Sequence, residues 1–236
     1  MSQTSAVRGG LYKVSEWIMR FSLVNLQWVV FNLPVAFLLL SLLNSGSKSD
    51  LYVLLPLLAI MIPPVFFPAT TAMVAKAREW VRENHDQRPE RTYWSYYKEN
   101  YKKSIAGGAF FTVLWAVLVA DIYYFSTMNI WMTNVFLVLG ILLFVVTMNY
   151  FSVIVHFDMK LGQAIKQAFL VTLVSPLLFV TVALTSGIIL YISLYIFPLI
   201  IPIFSGTILT FLTFSAYYRH YLKRAGDEGT GYSSQS

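Results

Sequence analysis

Three histidines, His85, His156 and His220, are the residues best suited to metal binding or proton transfer in a chain that has no cysteine. Metal catalysis needs His, Asp or Glu clustered at helical or strand spacing, and these three stand isolated. His156 and Asp158 are neighbours, but side chains two apart on a helix point in different directions. The pattern predicts no catalytic residue, no metal and no cofactor, and so a protein that is not an enzyme. Without cysteine there is also no thiolate nucleophile and no disulfide. Asp121 is the one ionisable group well inside an apolar run, where a charge is a functional candidate by default. Counted from Ile105 at about 1.5 Å per residue, it falls about 24 Å along its helix, near the far interface beside Tyr123 and Tyr124. Asn25 and Asn32 share one helical face, and Asn149 stands close to Thr147. Such amides suit interhelical hydrogen bonds worth about 1 kcal/mol each. Pro63, Pro64, Pro68, Pro198 and Pro202 are candidate hinges or kinks, because a proline frees a backbone carbonyl.

The elements that position these residues are membrane helices. Of the 236 residues 57% are hydrophobic and only 12% are charged, where a globular protein carries about 25%. A mean hydropathy of +0.64 points the same way. This composition excludes a soluble enzyme, a disordered tail and a secreted disulfide scaffold. A charge at mid-bilayer costs about 2.5–3.5 kcal/mol, so charge-free runs mark the spans. They predict an all-α polytopic protein, a single membrane domain over 1–236 with six transmembrane helices at 17–43, 51–75, 104–125, 131–155, 169–192 and 196–218. A short cytoplasmic helical hairpin occupies 76–104, and 225–236 is expected to be a flexible tail. Residues 167–218 carry no charge and are far too long for one crossing of a core about 30 Å thick, so a turn is expected at 193–198.

Sixteen of the seventeen Lys and Arg residues fall on the side shared by both termini, and only Lys48 lies opposite. Cytoplasmic loops carry this excess, so both termini are expected in the cytoplasm of a multi-pass bacterial plasma-membrane protein. The net charge of +6 then reflects topology and contact with the lipid bilayer, with no nucleic acid as partner. The first apolar segment is too long for a signal-peptide core and lacks a small-residue cleavage pattern, so it is expected to stay in the membrane.

Within the hairpin, Ala69, Ala72, Met73, Lys76, Trp80 and Val81 recur at helical spacing. Turn formers at 84–89 end that helix. A second helix begins after Thr92, a good N-cap, and continues through Lys103 into the third span. Tyr93, Tyr97 and Tyr101 line one face of it, and Trp94, Lys98 and Lys102 the adjacent face. An aromatic and lysine-rich helix of this kind lies at the headgroup level. Together with Trp80, these seven residues are the candidate partner-binding surface. A fainter echo, Lys160 and Lys166 among Leu161, Ile165, Ala168 and Phe169, precedes the fifth span.

Two stretches resemble the YesL-like family of bacterial membrane proteins of unknown function. Residues 11–34 carry the likeness in Tyr12, Asn25, Trp28 and Pro34. Residues 67–104 carry it in Pro68, Ala69, Thr70, Ala72, Arg78, Trp80, Tyr97, Asn100, Lys103 and Ser104. Phe67 stands where such proteins commonly have glycine, and 84–88 lack their acidic pair. The resemblance implies a role beside carbohydrate uptake, with subunits of a carbohydrate ABC transporter as partners, and it carries over no catalytic residue. The alternative is a small-solute transporter or channel in its own right, using Asp121 and the proline-broken helices.

Overall fold

The computed structural model describes residues 2–82 and 90–233, the side chains of 2–11, 48 and 225–233 apart. His85 and the expected breaker segment at 84–89 lie outside the described residues. The described chain is all-α: α1 (Ser2–Phe31), α2 (Leu33–Leu43), α3 (Lys48–Met61), α4 (Phe67–Arg82), α5 (Tyr93–Ser126), α6 (Ile130–His156), α7 (Leu161–Val174), α8 (Pro176–Tyr191) and α9 (Gly206–Ser233). Among the described residues five helices are long and apolar enough to cross a membrane, and six if the bent pair α1 and α2 is counted as one span. Each of Ser49–Arg82 and Tyr93–Ser126 has 34 residues, about 51 Å of helix. Both overrun a hydrocarbon core of about 30 Å, so the polar ends of α4 and α5 project beyond it.

Proline accounts for several departures from the expected spans. The first span, 17–43, is bent by 67° between α1 and α2. Pro34 sits in the first turn of α2 and Asn32 adopts φ −91° and ψ 4° before it; Pro34 has no N–H for the Val30 carbonyl and its ring crowds that carbonyl, which interrupts the helix here. Pro63 and Pro64, by contrast, do not break the second span. They are absorbed in a π-helical turn, Ile62–Phe66, whose widened ladder lets the Phe67 N–H reach the Ile62 carbonyl. The rings are thereby accommodated within one continuous helix, Ser49–Arg82. Pro68 lies buried at the start of α4, inside the continuous Ser49–Arg82 helix.

The fifth span is Pro176–Ile196, displaced from the expected 169–192. Pro176 forces Ser175 out of helix to φ −118° and ψ 84°, leaving α7 as a separate short apolar helix. The turn that follows, at 197–200, overlaps the expected 193–198 only at its end, since 192–196 are still helical. A π-helical turn, Ile192–Ile196, precedes residues 197–200, which hold Pro198, and a second, Ile201–Ser205, holds Pro202. The sixth span is accordingly Ile201–Arg224, later than 196–218. Its helix continues to Ser233 where a tail was expected from 225, because no proline after Arg224 stops it.

The core lies at the Lys/Arg-rich end and α4 is its axis, touching α1, α5, α6 and α9. Every residue from Phe67 to Ala77 is buried, and Ala69, Ala72, Ala75 and Ala77 let neighbouring backbones approach closely. Phe67 fills this centre. Its ring packs on Phe111 and Phe151, and a Cβ on Gly108 would come within 2.7 Å of it. At the opposite end the helices expose Leu43, Val113, Tyr123, Trp131 and Val138, as expected where lipid is the solvent.

Candidate functional site

The two arms of the α4–α5 hairpin are tied by a small polar network. Lys76 Nζ lies 2.5 Å from Glu79 Oε2 and donates to the Arg91 carbonyl at 3.1 Å, while the Arg91 N–H donates to Glu79 Oε1 at 2.9 Å. Thr92 caps α5, its hydroxyl accepting the Ser95 N–H at 3.3 Å. This geometry turns part of the predicted partner surface inward. Tyr93 is buried and donates to the Ala69 carbonyl at 2.7 Å. Trp80 is also buried, stacked on Phe21 at 5.2 Å. Both belong to the core, since α1 covers the face of α4 that was expected to be free.

The other five predicted residues form one strip along α5, with Trp94, Lys98 and Lys102 exposed and Tyr97 and Tyr101 half-buried. Phe31, Trp94, Tyr97 and Tyr101 make a continuous run of ring contacts: Phe31 to Trp94 at 5.6 Å, Trp94 to Tyr97 at 5.3 Å and Tyr97 to Tyr101 at 5.4 Å. Lys98 Nζ sits 4.7 Å over the Trp94 ring, a cation–π contact, and Lys102 is exposed one turn further on. Phe31 joins the strip from the end of α1, a contribution without a local sequence signal.

A cleft of about 400 Å³ adjoins the hairpin where α4, α5 and the segment after α6 meet, and Arg78, Glu99, Asn100, Lys103, His156 and Asp158 line it. Tyr96, Glu99, Asn100 and Lys103 fall at i, i+3, i+4 and i+7, one face of α5. Arg78 donates to the Val155 carbonyl, satisfying the end of α6. Arg91 pairs with Glu99 at 2.8 Å and Lys103 pairs with Asp158. The hydrogen bond from Lys103, and then its charge, holds the Asp158 carboxyl below its ordinary pKa. His156 and Asp158 share this cleft although helical spacing separates them. Helix α6 ends at His156 and Phe157 is extended, φ −117° and ψ 139°, which brings Asp158 round. Among the described residues no group of three His, Asp or Glu could hold a metal ion.

The predicted intramembrane polar residues are not brought together. Asn25 is fully buried and spans from α1 to the start of α9: its amide donates to the Ile201 carbonyl at 3.0 Å and its Oδ1 accepts the Thr207 N–H at 3.1 Å. It thus serves backbone groups beside the π-helical turn that holds Pro202. Asn32 donates to the Trp28 carbonyl at 2.8 Å, within its own helix. Asn149 donates to Thr172 Oγ1 of α7 at 2.9 Å. Asp121 is half-buried near the far end of α5, close in sequence to the exposed Tyr123 and Tyr124. His220 Nδ1 lies 3.2 Å from Ser175 Oγ at the α7–α8 break.

Fold and site together define a multi-pass, all-α membrane protein whose polar chemistry is concentrated at its Lys/Arg-rich end. Within that class the chain is similar to the YesL-like proteins. Residues 21–122 match the family described as "Protein of unknown function, DUF624". Over 229 residues the chain is 25% identical to the uncharacterized protein YesL of Bacillus subtilis (strain 168), an alignment covering 92% of this chain and 94% of that one. The uncharacterized protein YteU of the same organism is 27% identical over 218 residues, 91% of this chain and 86% of its own. The uncharacterized protein YesV, also of that organism, is 29% identical over 160 residues, 64% of this chain and 76% of its own. No solved structure matches the chain.

Proposed function

We propose that the protein is an accessory or regulatory subunit of a carbohydrate ABC-type importer in the bacterial plasma membrane, with both termini cytoplasmic, and that it docks through the α5 strip. The observation that carries the docking face is the preorganised run Phe31, Trp94, Tyr97 and Tyr101 with Lys98 laid over it. Rings already packed against one another lose little side-chain freedom on binding, so contact area converts efficiently into affinity. Aromatic residues also dominate the energetics of protein interfaces. The carbohydrate importer enters through the YesL-like resemblance, and the cytoplasmic orientation through the asymmetry of Lys and Arg.

The test is affinity purification of the tagged full chain from native membranes in mild detergent, with sugar uptake measured in a deletion strain. Recovery of an importer's membrane subunit, lost in a Trp94→Ala/Tyr97→Ala/Lys98→Ala variant, together with reduced uptake on deletion, is the expected result. No transporter subunit recovered and uptake unchanged would end the proposal.

A further inference from the structure

We propose that the cleft beside the α4–α5 hairpin is a binding site for a phosphoethanolamine group, with its phosphate set against Arg78 and Lys103 and its primary ammonium against Glu99 and Asp158. This proposal is independent of the docking partner. The first support is the charge inventory. Arg78 and Lys103 face the same cavity as Glu99 and Asp158, so a simple anion attracted by the two cations would also meet two carboxylates. A ligand carrying both signs meets each charge with its opposite, Arg78 keeping its bond to the Val155 carbonyl. Guanidinium and ammonium groups donate to phosphate oxygens. Carboxylates can only accept, so the ligand's cation must carry N–H groups, as a primary ammonium does and a quaternary one does not.

The second support is position. Ala75, Ile154 and Val155 form the apolar part of the wall and continue directly into the buried segments of α4 and α6. The cleft therefore lies where the helices leave the hydrocarbon layer, at the depth of lipid headgroups, and its volume of about 400 Å³ suits a headgroup-sized molecule.

The third is that its carboxylates are available for exchange. Asp158 has a side chain 96% exposed and pairs with Lys103, and Glu99 has one 50% exposed and pairs with Arg91. Exposed pairs of this kind are weak in water, so a ligand can replace them at little cost. His156, also on the wall, has its Nδ1 without a hydrogen-bond partner among the described residues.

The same chemical group could arrive as the headgroup of a membrane lipid or as a soluble phosphodiester, and two arms separate these sources. In the first, the full chain is placed in nanodiscs of equal phosphatidylethanolamine, phosphatidylcholine and phosphatidylglycerol, and the lipid retained on release is counted by native mass spectrometry. In the second, glycerophosphoethanolamine and glycerophosphocholine are titrated calorimetrically against the detergent-solubilised protein. We expect ethanolamine to be preferred about tenfold in one arm, the discrimination expected from one or two charge-assisted hydrogen bonds. That preference should disappear in the Glu99→Gln/Asp158→Asn variant, whereas Lys103→Gln should weaken binding of every headgroup alike, each verified as monodisperse. Preference in the lipid arm identifies a membrane ligand, and preference in the soluble arm a free one. Equal binding of all headgroups in both arms, or an ethanolamine preference that survives the loss of both carboxylates, would overturn the proposal.

Discussion

The Tyr150 hydroxyl and ring occupy the space that a side chain at Gly107 would need, so α5 and α6 pack with no room for a Cβ between them. The same hydroxyl donates to the Lys103 carbonyl at 3.1 Å, which links this close approach to the wall of the cleft one turn away. Gly107→Ala must therefore displace a buried ring, at a cost of about 1–3 kcal/mol for overpacking. A Cβ added to Gly162 in α7 would meet nothing within 4 Å, and there alanine should stabilise by about 0.4–1 kcal/mol. Thermal unfolding of the two variants in one detergent should show shifts of opposite sign.

Asn25 meets the backbone of the sixth span with both ends of its amide, at Ile201 and Thr207. Gly206 makes this approach possible, since a Cβ there would stand 3.0 Å from the Asn25 Oδ1. Asn25→Leu keeps the volume but orphans a carbonyl and an N–H, each about 1–3 kcal/mol when buried without a partner. Solvent or lipid cannot replace them well at this depth. The expected outcome is a lowered thermal midpoint with faster hydrogen exchange at Thr207.

Trp80 and Trp94 are equivalent candidates in the sequence, and the structure separates them. Trp80→Ala empties a buried site and should cost about 3–5 kcal/mol. Trp94 is 48% exposed, and Trp94→Ala should cost under about 1 kcal/mol while abolishing capture of the partner. Parallel stability and pull-down measurements on both variants check the division. Equal loss of stability in the two would contradict it.

The Lys103–Asp158 pair makes a pH prediction of definite sign. Lys103 holds the carboxyl below the ordinary aspartate range. A depressed folded pKa contributes stability that is fully present above the unfolded value and is lost as pH falls through the folded one. In the ligand-free protein the link should therefore be present at neutral pH and weaken as pH falls through the depressed Asp158 pKa. A carbon-detected carboxyl titration should place the Asp158 midpoint below that of an ordinary aspartate, and Lys103→Gln should return it to the ordinary range.

Much of this organisation is readable in the sequence because hydrophobic periodicity and the cost of burying charge are local properties. The charge-free runs predict an all-α polytopic protein, Thr92 stands out as a cap, and Trp94, Tyr97, Lys98, Tyr101 and Lys102 are recognisable as a surface strip. What is not readable depends on which helix covers which. Trp80 and Tyr93 follow the same spacing whether α1 lies over them or not, and only the packed chain turns them inward. Proline has the same ambiguity. Pro63 and Pro64 are absorbed in a π-helical turn, whereas Pro34 and Pro176 bend or interrupt their spans, because the outcome depends on whether neighbouring helices hold the axis straight. Half of the cleft is visible as the i, i+3, i+4, i+7 face of α5. The other half, Arg78 with His156 and Asp158, comes together only through tertiary contact and the end of α6.

The docking role of the α5 strip is tested most directly by site-specific photocrosslinking in native membranes, with a photoreactive residue placed at Trp94, at Trp80 and at Tyr123 in turn. We predict an adduct with a membrane subunit of a carbohydrate importer from position 94 and none from the buried position 80 or the far-side position 123. An importer adduct from position 123 alone, or no importer adduct from position 94, would contradict it.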